Sequence, residues 1–145
     1  MLSEYCKADM ERRGQDPKVL KPLEKKLLSV GGKVVVCCYE EDLEKLLTRG
    51  QVFTPKKVNY KRMRRSGCHA NAGIFWNNYS KEHGTDSVKI VVGWGLTESD
   101  QYWRQHSFIY LPKENKIIET TEKRQIYFGF ILTEDEAEKH YFNNY

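Results

Sequence analysis

A chain of 145 residues, 39% hydrophobic and 12% aromatic, has the length and apolar content for one domain with a buried core. Its net charge of +4 is too small to imply nucleic-acid binding by itself, and no run of 18 apolar residues supports a membrane-spanning helix. Met1-Leu2-Ser3-Glu4-Tyr5-Cys6 lacks the apolar stretch of a secretory signal, and four cysteines with an adjacent pair and no CxxC spacing argue against a disulfide framework or a zinc knuckle, so a reducing, cytoplasmic setting is expected.

Residues 1–13 have helix-forming composition and end at Gly14. Asp16-Pro17 reads as an N-cap with proline in the first turn. Val19, Leu20, Leu23, Leu27 and Leu28 follow at helical spacing until Gly31-Gly32. The β-branched run 33–39 predicts a buried strand, and 40–49 a short helix closed by Gly50. Residues 51–65 carry Pro55 and six basic side chains and read as a loop. From Cys68 the positions Ala72, Phe75, Trp76 and Tyr79 recur with helical period, and Gly84 is the stop signal. Strands are expected over 88–94, 103–111, 117–121 and 124–131, with turns at 97–101 and 112–116. Thr133 with Glu136 forms a capping box for a last helix. This order predicts an α+β fold, a single domain over 1–145. A helical lead-in with one strand occupies 1–50. A helix packed on an antiparallel meander occupies 66–131.

Chemistry concentrates around Cys68. A thiol in the first turn of a helix feels the positive end of the helix dipole, which favours thiolate. The basic residues just before it, Lys61, Arg62, Arg64 and Arg65 among them, add positive potential and suit steering of a negative substrate. A buried structural role is the commoner fate of a free cysteine, and the Ser66-Gly67 hinge and the helix start weigh against it here. Downstream, a hairpin turning near Lys113 places His106 opposite Glu119 on one face. The carboxylate then holds one ring nitrogen, and the other is free to deprotonate Cys68.

Gly67-Cys68-His69-Ala70-Asn71-Ala72, Gln105-His106-Ser107-Phe108 and Ile118-Glu119-Thr120-Thr121 resemble the papain-like and transglutaminase-like cysteine hydrolases. The resemblance covers about residues 66–121, in the non-permuted order Cys, His, acid. It implies a papain-like core, Cys68 as nucleophile, His106 as general base and acid, and Glu119 as orienting carboxylate. Where papain-type enzymes carry the oxyanion-hole glutamine, this chain has Arg62, Met63, Arg64 and Arg65. Asn71, Gln105 and Tyr60 remain candidates for the second oxyanion donor. Trp94, between Gly93 and Gly95, is a candidate on the substrate side.

His69 points about 100° away from Cys68 on the helix and suits a structural or substrate-side role. His83 and His140 sit at helix surfaces. A Cys68/His69/His106 metal site lacks a fourth ligand, so no metal and no cofactor is expected. The favoured reading is a cysteine hydrolase or acyl transferase acting on a protein or peptide-like substrate, at an amide, isopeptide, ester or side-chain carboxamide. Small size and composition are compatible with a viral or effector protein that modifies a host protein. The alternative is a non-enzymatic binding protein whose basic loop 56–65 holds an anionic partner such as nucleic acid.

Overall fold

The structure, a computed structural model, describes residues 2–144. The lead-in comprises α1 (Leu2–Arg12), α2 (Lys21–Val30), the short strand β1 (Val34–Val35) and α3 (Leu43–Arg49). Asp16 accepts from the Lys18 amide, as its capping role requires, but it opens a single 3-10 turn over Pro17–Leu20 that runs on into α2. The strand expected over 33–39 pairs for only two residues, parallel to the edge of β5 at Tyr102 and Trp103. The chain then turns away and delivers Glu40 to the buried indole of Trp94, whose Nε1 donates to it at 2.9 Å.

The stretch 51–65 is not simply a loop. It holds β2 (Gln51–Phe53) and β3 (Lys57–Tyr60), which join opposite ends of the sheet. Next come α4 (Cys68–His83), β4 (Lys89–Thr97), β5 (Tyr102–Leu111), β6 (Lys116–Glu119), β7 (Ile126–Ile131) and α5 (Glu134–Asn144). The strand order is β2-β7-β4-β5-β6-β3. A meander would have placed β7 beside β6. Instead β7 crosses to the far side of β4, and β3 pairs in parallel with β6. The mixed α+β class stands, with helices on one side of a mostly antiparallel sheet.

Strand periodicity divides the core. Ile90, Trp94 and Leu96 of β4 with Trp103, Ile109 and Leu111 of β5 pack beneath Leu23, Leu27, Leu46, Ala72, Trp76 and Ala137 of the helices. The opposite face carries Phe53, Val91, Phe108, Ile117 and Tyr127. His106 lies on this second face, stacked on Phe108 with ring centroids 5.9 Å apart. Its neighbour across the ladder is Gly93, and beyond that Gly129. A side chain at Gly93 would collide with the Phe128 carbonyl, so only glycine lets β4 and β7 approach here.

α5 starts as its capping box requires: the Thr133 amide donates to Glu136 Oε1 at 2.9 Å, and the Glu136 amide to Thr133 Oγ1 at 3.2 Å. It crosses α4 at Gly73, where an added Cβ would lie 3.1 Å from the Tyr141 backbone. Among the described residues no helix is long and apolar enough to cross a membrane.

Candidate active site

Cys68 opens α4, with Gly67 as N-cap and Ser66 held in the left-handed region at φ +57°. The tight turn is stapled by Asn71, whose Nδ2 donates to the Arg64 carbonyl at 2.7 Å. Asn71 is buried, gives one amide proton to this bond and is not among the residues lining the cleft at Cys68, so it holds the turn that carries the thiol. The next residue, His69, is gripped from two sides: its Nδ1 hydrogen-bonds to the Ser107 hydroxyl, and its carbonyl accepts from His140 Nε2 at 2.7 Å. Burial, then the charges of His140 and His106, push the His69 imidazole down to about 4. It stays neutral and structural at physiological pH.

The β5–β6 hairpin turns one residue later than the sequence predicts. A 3-10 turn over Pro112–Glu114 is closed by Asn115 in the left-handed conformation. The ladder therefore pairs Ile109 with Ile118, Tyr110 with Ile117 and Leu111 with Lys116. Residues 106 and 119 become diagonal neighbours rather than direct partners. The offset is two residues, so both side chains keep their face. His106 Nε2 lies 2.9 Å from Glu119 Oε2, with both side chains wholly buried.

Glu119 has every acceptor position engaged. Tyr127 donates its hydroxyl to Oε2 at 2.8 Å, while the amide and hydroxyl of Thr121 donate to Oε1 at 3.2 and 3.1 Å. Burial pushes this carboxyl up, but His106, Tyr127 and Thr121 together hold it below its ordinary value. Burial pushes His106 down, and hydrogen bonding to Cys68 and Glu119 with their charges raises it on balance. Burial pushes the Cys68 thiol up. Hydrogen bonding to His106, the imidazolium charge, the Ser107 backbone and Arg124 outweigh it, and the thiol ends below its ordinary value. The three shifts run in one direction: each group favours its charged form, Cys68 and Glu119 beside His106 and His106 beside both. His106 Nδ1 is buried without a partner at full hydrogen-bond geometry among the described residues, although the Cys68 thiol does most to raise the ring. The thiol thus stands beside the ring without being aligned on it, as nucleophile and base commonly do before substrate binds.

The other thiols differ. Burial raises Cys37 and takes Cys38 up to about 12. Limited alkylation with iodoacetamide at pH 6 is therefore expected to label Cys68 ahead of Cys37 and Cys38. Its rate should begin to rise at lower pH than that of an ordinary thiol, because a free cysteine of pKa about 8.5 is almost wholly protonated at pH 6. Peptide mapping across pH checks this, and a Cys68 profile rising only above pH 8 would contradict the thiolate.

Cys68 opens on a cleft of about 940 Å³. Its lining comes from three stretches: Tyr60, Arg62, Met63 and Arg65 before the helix, Arg104 and Gln105 of β5, and Thr121, Glu122 and Arg124 between β6 and β7. Of the four basic residues expected to steer substrate, Arg62 and Arg65 line this cleft and Lys61 and Arg64 do not. Gln105 is present, but both protons of its amide are occupied, by the Tyr39 carbonyl at 2.7 Å and by Glu40 at 3.3 Å. Tyr60 is 55% exposed. Its oxygen accepts from the Lys123 amide at 2.8 Å, a bond that does not use its own proton. Trp94 is fully buried against Glu40 and belongs to the core, contrary to a substrate-side role.

Three site residues escaped sequence reasoning. Tyr127 and Arg124 arrive with the crossover into β7, and Arg104 from β5. The Arg124 stem lies over Gly95, where an added Cβ would come within 2.6 Å of it, and its Nη1 donates to Thr97 at 3.0 Å. The glycine flanking Trp94 makes room for an arginine rather than a ligand. Among the described residues no three His, Cys, Asp or Glu side chains are grouped to hold a metal ion. No family model, curated protein or solved structure matches this chain.

Proposed function

We propose that this chain is a cysteine-dependent hydrolase or acyl transferase of papain-like architecture working through Cys68, His106 and Glu119. The observation that carries the reading is the buried 2.9 Å contact between His106 Nε2 and Glu119, which leaves only Nδ1 for the neighbouring thiol. A buried histidine with a saturated carboxylate on one nitrogen and a low-lying thiol on the other is the arrangement nucleophilic acyl transfer needs.

In the reaction the Cys68 thiolate attacks the acyl carbon, forming the C–S bond and moving the carbonyl electrons onto oxygen. The Cys68 amide, free at the start of its helix, and the Tyr60 hydroxyl are the donors proposed for that oxyanion. The His106 imidazolium gives its Nδ1 proton to the departing nitrogen or oxygen as the old bond breaks. Water then attacks the thioester and loses a proton to Nδ1. The acid is released, and the thiolate–imidazolium pair returns. An amine in place of water makes the same sequence a transfer. Glu119 holds the ring in one orientation and stabilises its charged form throughout.

An acyl-enzyme is the direct test. The chain incubated with p-nitrophenyl acetate and quenched in acid is expected to carry one acetyl group, on the Cys68 peptide, released by hydroxylamine. Acetylation spread over lysines, or on Cys6, Cys37 or Cys38 in preference, would count against the mechanism. The binding-protein reading gains no separate support, because Arg62 and Arg65 face the cleft that holds the thiol rather than a surface of their own.

A further inference from the structure

We infer that the acyl donor entering this cleft is an acidic polypeptide segment, with a carboxylate held by Arg62, Arg65 and Arg124, which line the cleft with Cys68. The inference rests on Cys68 being the nucleophile. It adds which substrates that nucleophile meets.

The charge count around the thiol is the starting point. Four guanidinium groups and one carboxylate, Glu122, line the cleft. Arg104 is already neutralised: Asp100 takes its Nη2 at 2.6 Å and its Nη1 at 3.2 Å. The other three have no such partner. Arg62 and Arg65 are exposed and form no ion pair among the described residues. Arg124 forms none either. Its Nη1 is bonded to the neutral Thr97 hydroxyl, and its buried Nε has no partner. Elsewhere the protein does pair such groups, as Arg49 and Lys45 do with Glu136 at 2.9 Å each. Three guanidinium groups without an acidic partner thus line one cleft beside a half-buried thiol, and a guanidinium of this kind can take an incoming carboxylate in bidentate geometry.

The remaining lining separates the polyanions. Single-stranded nucleic acid is held by aromatic platforms on which bases stack. Tyr60 is the one aromatic among the lining residues, and its hydroxyl is tied to the Lys123 amide. A peptide has what this wall offers. Tyr60 ends β3, the last strand of the sheet, whose outer edge is unpaired among the described residues and suits an extended chain running towards Arg62 and Cys68. The cleft, about 940 Å³, has room for several residues.

Two alkylating reagents that differ in charge test this without a known substrate. Iodoacetate and iodoacetamide both lose iodide as the thiolate forms a bond to their methylene carbon. The ratio of their second-order rate constants at Cys68, divided by the same ratio for free cysteine, isolates the charge. We expect that quotient to be at least about tenfold above unity at low salt and to fall as ionic strength rises from about 0.01 to 0.15 M. It should drop several-fold in Arg124→Gln and in Arg62→Gln with Arg65→Gln. General changes in thiol reactivity cancel in the quotient. A capped hexaglutamate peptide should protect Cys68 from iodoacetamide, and hexalysine should not. A quotient at or below unity overturns the proposal while leaving the nucleophile intact. Protection by oligothymidylate with none by hexaglutamate overturns it in favour of nucleic acid. Inertness of Cys68 to both reagents overturns the nucleophile and the proposal together.

Discussion

Cys68→Ala and His106→Ala are each expected to cut turnover of an activated acyl ester by up to about a millionfold, and the double variant to be no worse than either alone. Residues acting as one unit are non-additive: once the thiolate or its proton partner is gone, little remains for the other to do. His106 is the link between the other two, since its ring shifts the protonation of the half-buried Cys68 thiol on one side and of the buried Glu119 on the other. His106→Ala has a second consequence. It leaves the Glu119 charge buried with only Tyr127 and Thr121 for company, at a cost of about 3–5 kcal/mol in stability. His106→Gln keeps a donor near Glu119 and separates the loss of catalysis from the loss of fold. Kinetics with circular dichroism on the four variants decide the matter. Near-full function in Cys68→Ala would end the enzyme reading and put the binding-protein reading in its place.

The second large effect belongs to Glu119→Gln. The carboxylate accepts two donors on each oxygen. A carboxamide has one oxygen and one NH₂, so whichever way it turns, two donors face protons. His106 then loses its anchor or Thr121 does, and the ring loses the charge that raises its pKa. Turnover is expected to drop by up to about 10⁴-fold, the scale seen when an orienting carboxylate is neutralised and the wrong tautomer results. Tyr127→Phe removes one donor and leaves the His106 contact in place, so a loss of about ten- to a hundredfold is expected.

The pH dependence separates orientation from a merely structural role. The proposed chemistry needs Cys68 deprotonated and His106 protonated, so its acid limb should follow the lowered Cys68 pKa and its alkaline limb the raised His106 pKa. Without the Glu119 charge His106 falls, so the alkaline limb of activity should move to lower pH in Glu119→Gln. Stability follows the same linkage. The depressed Glu119 pKa contributes above its unfolded value near 4.3, and that contribution is lost as pH falls through the folded pKa. The raised His106 pKa contributes below about 6.5 and is lost as pH rises through its folded value. The gap between wild type and Glu119→Gln in urea unfolding should therefore be widest between about pH 4.3 and 6.5 and narrower at pH 8. An alkaline limb that does not move would reduce Glu119 to a packing residue.

Much of the frame is written in short-range signals. Gly67 and Gly84 bound the helix from Cys68, the capping box Thr133/Glu136 starts the last one, and Gly31 and Gly50 end the two before. These depend on residues within a turn of each other, so backbone sterics and a few local hydrogen bonds decide them. The facing of His106 and Glu119 survived a misplaced hairpin turn because strand side chains alternate with period two.

What the residues could not disclose is whatever depends on which strand lies beside which. β2 and β3 are only three and four residues long and each gives the core little more than one apolar side chain, Phe53 and Val58, so their order comes from backbone pairing with β7 and β6 rather than from a long hydrophobic pattern of their own. The crossing of β7 to β4 brings Tyr127 onto Glu119 and Arg124 over Gly95 into the cleft. The same long-range closure buries Trp94 on Glu40 and occupies both protons of Gln105. A sequence carries the alternation and the caps because each is decided by near neighbours. It cannot carry strand adjacency in the same way, because that is a competition among distant segments for one set of hydrogen bonds and one buried face. Here that competition decided which arginines and which hydroxyl stand around Cys68.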